Sequence, residues 1–173
     1  MKKILILITL LGNGICLAQK DEVYDELESS FSYAQQSASY ANDALDYIKK
    51  CYSADNLDDI QYYARKAKNE IDDAKSQASY ASSDASDAED EAYDIDCDDA
   101  EDDADDAESY FYSAQSDFDD AYTYLRRAEY SDDTDDIEYD LRRAKSAIED
   151  GLNDINYGLS DLNDAVDELN DCN

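Results

Sequence analysis

The residues best placed to do chemistry are carboxylates. Asp94, Asp96, Asp98, Asp102 and Asp105 fall at positions 1, 3, 5, 9 and 12 of an EF-hand-like calcium loop. Carboxylate oxygens favour hard cations, so the chemistry would be binding of Ca2+ or Mg2+. Two neighbours oppose a true EF-hand. Asp99 takes the position of the obligatory turn glycine, and Glu101 the usual aliphatic position. With 46 Asp and Glu in 173 residues, such spacings arise readily by chance. The expectation is loose, low-affinity binding of Ca2+ or Mg2+ ions across an acidic region, with no resident cofactor.

Composition excludes other chemistries. The chain has no histidine, which removes Ser-His-Asp and Cys-His catalysis, imidazole metal sites and the ferritin-like di-iron site. Four glycines and no phosphate-cradling loop argue against a nucleotide enzyme. Paired carboxylates can do acid–base work, but helices crowded with Asp offer many pairs and none stands out by spacing. The chain is not expected to be an enzyme. A formal net charge of −32 repels other polyanions, so nucleic acid and anionic membrane surfaces are not expected partners. A basic protein or divalent cations are.

Residues 1–18 read as a secretory signal peptide. Lys2 and Lys3 open it, Ile4 to Leu11 is apolar except for Thr9, and Cys16-Leu17-Ala18 offers small residues for cleavage. The apolar stretch is too short for a transmembrane helix, and no second one follows. Ile15 and Asn13 argue against lipidation of Cys16. The remaining chain, 19–173, is then secreted or periplasmic, with a bacterial style of signal. Losing Lys2 and Lys3 makes it two units more negative still.

The elements that must position the acids are helices. Apolar residues step by three and four through Leu57, Ile60, Ala64, Ala67 and Ile71 as far as Ile95, and again from Ile137 through Leu141, Ala144 and Ile148 to Cys172. The same spacing runs from Leu27 to Ile48 and from Ala100 to Ala128. The spacing predicts helices near 22–52, 57–95, 99–129 and 135–171, with Asn56 and Thr134 as N-caps. No Gly or Pro separates the second helix from the third, so one continuous helix there is the alternative.

A shift of 77 residues superposes the chain on itself. Asp58-Asp59-Ile60 falls on Asp135-Asp136-Ile137, and Tyr62, Arg65 and Lys68 fall on Tyr139, Arg142 and Lys145. The repeats run about 22–96 and 99–173. Each is a helical hairpin, and together they predict an all-α, up-down-up-down antiparallel four-helix bundle with alanine-rich heptad seams.

Bundle geometry then sorts the special residues. Cys97 and Cys172 meet at one end, and the export signal supplies an oxidising setting, so they are expected to form a disulfide. Cys51 lies at the other end, either as a small residue beside the seam of a monomer or as the link of a disulfide dimer. Fifteen acids and no base between Asp84 and Glu108 place an intensely acidic end beside Cys97. Bases cluster near the hairpin turns, where Arg65 to Lys68 and Arg142 to Lys145 are expected to pair with acids on neighbouring helices. Tyr33, Tyr40 and Tyr47 recur every seven residues. They read as a flank of the core or as a partner-binding platform. The sum is an exported, non-enzymatic structural or interaction module, with a low-affinity cation-binding protein as the alternative.

Overall fold

The computed structural model describes the backbone of residues 2–172 and the side chains of residues 20–172. The side chains of the expected leader, 1–18, lie outside the described residues. Four helices follow one another: α1 (Lys2–Tyr52), α2 (Leu57–Asp94), α3 (Asp98–Tyr130) and α4 (Thr134–Asp171). They form the expected bundle, and no strand occurs among the described residues. The first helix starts earlier than the seam suggests, at Lys2, because helical backbone continues without a break from the apolar segment into Asp21. No helix of the described residues is long and apolar enough to cross a membrane.

The connections follow cap chemistry. Asn56 Oδ1 accepts from the Asp59 amide at 2.9 Å, as its N-cap position predicts. At α4 the cap is Asp133, one residue before the expected Thr134. Its carboxylate accepts from the amides of Asp135 at 2.8 Å and Asp136 at 3.4 Å. An anion suits a helix N-terminus better than a hydroxyl does. Helices α2 and α3 are separate, joined only by Ile95, Asp96 and Cys97. The Cys97 amide donates to Ala92 O at 3.1 Å and the Asp96 amide to Tyr93 O at 3.1 Å. This is a Schellman stop, with Asp96 at φ 56° in the left-handed position usually held by glycine.

The seams differ in what they bury. Helix α2 contributes alanines from Ala64 to Ala92 around a single large residue, Ile71. Helix α4 contributes Ile137, Leu141, Ile148, Ile155, Leu162 and Leu169. Each Leu or Ile buried in full stabilises by about 1.5–3 kcal/mol, far more than an alanine, and among the described residues α4 contributes more large buried side chains than any other helix. The alanines supply closeness instead. Backbones approach tightly from α1 to α2, α2 to α3 and α3 to α4, whereas α1 and α4 stand further apart.

Both hairpins repeat their contacts. The rings of Tyr33 and Tyr80 lie 5.3 Å apart between α1 and α2, and those of Tyr110 and Tyr157, 77 residues on, lie 5.3 Å apart between α3 and α4. The far end is tied by the expected disulfide, Cys97–Cys172, with Cα atoms 5.9 Å apart. Beside it Lys20 of α1 donates to Leu169 O at 3.1 Å and to Cys172 O. A cation on those last carbonyls offsets the negative end of the α4 dipole.

Candidate functional site

The five aspartates of the EF-hand-like spacing do not share a loop. Asp94 is the last residue of α2, Asp96 and Cys97 lie in the connection, and Asp98 already opens α3. Asp102 and Asp105 sit on α3 a further one and two turns along. The seam alanines Ala100, Ala104 and Ala107 are fully packed, and they pull this stretch into helix. An EF-hand would need the same residues extended around a glycine turn.

Carboxylates converge instead where helices face each other. Glu26 of α1 meets Asp84 and Asp87 of α2, and Glu89 of α2 meets Asp105 and Glu108 of α3. Within each trio the nearest oxygens lie within 4.8 Å of one another. Of the five spaced aspartates only Asp105 belongs to a trio. Burial pushes the Glu26 carboxyl above its ordinary range, and the charges of Asp84 and Asp87 add to the rise. Glu89 is raised the same way, by burial and then by Asp105 and Glu108.

The 77-residue shift carries the first trio onto Asp103, Asp161 and Asp164 of the second hairpin. There Asp103 is raised by burial and then by Asp164 and Asp161. Asp161 is raised by burial and then by Asp106 and Asp164, and its Oδ2 is buried without a hydrogen-bond partner. A fourth cluster lies further along the same seam. Asp117 is pushed up to about 6, first by burial and then by Asp154, Asp150 and Asp120. The acids therefore form a ladder along the helix seams and extend well beyond one end. Sequence spacing missed these sets because their members lie on different helices. Their signal is the row of acids flanking each seam in antiparallel register.

Toward the hairpin turns, bases relieve part of this repulsion. Lys68 of α2 pairs with Glu129 of α3 in a largely buried contact, and Lys75 pairs with Asp119 at 2.9 Å. Lys68 and Lys75 both lie over the Tyr122 ring. Arg142 and Lys145 depart from expectation. They pair within α4, with Glu138 at 3.9 Å and Glu149 at 3.3 Å, because the i,i+4 spacing brings those acids within reach.

The tyrosine row flanks the core. Tyr33, Tyr40 and Tyr47 are half-buried against it, Tyr33 against Tyr80, and Lys50 lies 4.4 Å over the Tyr47 ring. Rings well exposed to solvent sit elsewhere, at Tyr93, Tyr112 and Tyr130. Cys51 is buried, and its thiol donates to Ile60 O at 3.6 Å. Burial pushes the thiol up to about 12. An intermolecular disulfide through Cys51 would need this end of the bundle to open first, since the thiol is buried.

The concave features are shallow. One hollow of about 380 Å³ lies beside the disulfide and is rimmed by Asp96, Asp98, Asp99 and Glu168. Another, of about 300 Å³, is apolar and lies between α1 and α4, floored by Leu27, Phe31, Leu162 and Val166. Neither brings a nucleophile to a base. No family model, curated protein or solved structure matches the chain.

Proposed function

We propose that this protein is an exported, non-enzymatic interaction module whose carboxylate ladder engages a lysine- or arginine-rich protein segment. One observation carries the reading. Trios of acids recur at equivalent seam positions in both hairpins, and burial beside the other acids raises the carboxyls of Glu26 and its counterpart Asp103 above their ordinary range. Such clusters repel themselves, and cationic side chains laid along the seams would relieve that repulsion several charges at a time. The helical bundle, tied at one end by Cys97–Cys172, presents the ladder along its length. The absence of histidine from the chain and the shallowness of the hollows support a binding role over a catalytic one. Export rests on the leader at 1–18, and N-terminal sequencing of the released protein should begin at Gln19.

The test is binding of a lysine-rich peptide, followed by calorimetry at two NaCl concentrations. Saturable binding that weakens steeply with salt is expected, and it should weaken again when Glu26, Asp84 and Asp87 are replaced by their amides. No binding at low salt would sink the reading. A second reading, divalent-cation binding, is favoured by the 4.8 Å convergence of oxygens in the two trios. It predicts that CaCl2 raises the unfolding midpoint well beyond NaCl of equal ionic strength. Equal effects of the two salts would leave only screening.

A further inference from the structure

The outer face shared by α1 and α4 departs from the charge pattern of the rest of the molecule. Phe31 lines the hollow against α4, and helical steps of three and four from it on α1, between Glu28 and Asp46, reach Gln35, Ala38, Asn42 and Leu45. Asn163 and Val166 line it from α4, and the same steps back toward Glu149 reach Leu159, Asn156 and Leu152. None of these ionises, in a chain that carries 46 acids. Phe31 and Val166 line the apolar hollow between the two helices, and the seven-residue spacing carries the same strip onward to Leu45 and Leu152. Its apolar members are half-buried and its amides exposed. Asn42, Asn156 and Asn163 each donate to the carbonyl four residues back, which fixes the amides along the strip.

We propose that this strip docks a second copy of the chain across a two-fold axis. A two-fold interface sets a patch against itself, so any net charge on the patch meets its own kind. With a net charge of −32 that condition penalises the acidic seams and leaves the neutral strip as the face where copies can touch. Apolar rows meet apolar rows, and amides pair with amides because each is both donor and acceptor. The strip runs about 20 Å along the helices and spans about two helix widths, or roughly 400 Å² per copy. Standard interfaces bury about 800 Å² per partner, so the dimer is weak and reversible.

Sedimentation equilibrium from low to high micromolar protein, in low and in high NaCl, tests this. The expected result is a dimer whose population grows with concentration and with salt, since screening removes repulsion between the acidic remainders. Asn163→Asp puts one charge from each copy into the neutral interface and should weaken association by about tenfold or more. Ser76→Asp adds the same charge on the exposed face of α2 and should change it little. Far-UV circular dichroism verifies that both variants keep the fold. Monomer under all conditions overturns the proposal, and so does equal weakening by the two substitutions.

Discussion

Where the first hairpin holds Ala34 and Ala81, the second holds Phe111 and Gly158; where the first holds Ala41 and Ala74, the second holds Phe118 and Gly151. All eight residues are buried. In the second hairpin each ring fills the space a glycine leaves. A Cβ built on Gly158 would stand 2.5 Å from Phe111 Cε1, and one on Gly151 2.7 Å from Phe118 Cε1. In the first hairpin the small pairs are joined by hydroxyls. Ser30 Oγ donates to Ala81 O and Ser37 Oγ to Ala74 O, each at 2.8 Å. The equivalents of those serines, Ala107 and Ala114, carry no hydroxyl. One antiparallel register therefore accepts two fillings. Large and small residues change in compensating pairs across the seam, and the paired tyrosines beside it stay in place.

The largest effect should come from emptying the second filling. Phe111→Ala leaves a void beside Gly158 and should cost about 3–5 kcal/mol in urea unfolding. The matching loss in the first hairpin, Ser37→Ala, should cost only about 1 kcal/mol, since Ala74 O keeps its helical bond. A cost for Ser37→Ala as large as that of Phe111→Ala would break the comparison.

Reduction of Cys97–Cys172 comes close behind. The bond spans 75 residues and ties the ends of the second hairpin, and loop-closure entropy puts its contribution near 4 kcal/mol. Hydrogen exchange should then rise first at the Cys97 and Cys172 ends of α3 and α4, ahead of α1. Uniform opening of all four helices would show that the hairpins unfold as one unit. Next, Asp96→Gly relieves a left-handed backbone and removes an anion from a helix C-terminus. It should stabilise by about 1 kcal/mol in thermal unfolding. A loss of stability would mean that the Asp96 side chain itself holds the turn.

The pH response is expected to be the mildest of these. Asp117, Asp103, Asp154 and Asp161 of the second hairpin all hold protons above the ordinary aspartate range in the folded state. The folded state therefore binds more protons than the unfolded chain, and stability falls as pH rises from about 4 to about 6. The first hairpin has Tyr40 and Gln77 where the second has Asp117 and Asp154. Asp117→Asn should flatten the pH dependence over that range. Stability that climbs through the same range would contradict the direction of these shifts.

Much of the fold was legible because a step of three and four is a direct image of a helix face. Four helices follow from that period, and the Cys97–Cys172 pair from the antiparallel order and helix length it implies. Partnership across the seam was less visible. Which acid meets which depends on the stagger of antiparallel helices, so Glu89 stood far from Asp105 and Glu108 in the chain while its oxygens lie within 4.8 Å of theirs in space. The calcium-loop spacing, already opposed by Asp99 and Glu101, meets no such loop in the structure for a related reason. Asp is frequent enough to satisfy a spacing by chance, whereas the alanines decide where the backbone turns. The choice of Asp133 over Thr134 as cap turned on one residue of phase between two good cap formers. That Gly151 and Gly158 receive rings was hidden too, because a seam position specifies burial and leaves the facing partner open.

Gly158→Ala, measured by urea unfolding in two backgrounds, bears most directly on the compensating pairs. In the natural chain the new methyl meets the Phe111 ring, and overpacking should cost about 1–3 kcal/mol despite the gain in helix propensity. In Phe111→Ala the same change recreates the Ala34–Ala81 pairing of the first hairpin and should stabilise by about 1 kcal/mol. A reversal of sign between backgrounds is the expected result. The same sign and size in both would mean that ring and glycine are independent, and that the two hairpins do not fill one register by exchange of paired volumes.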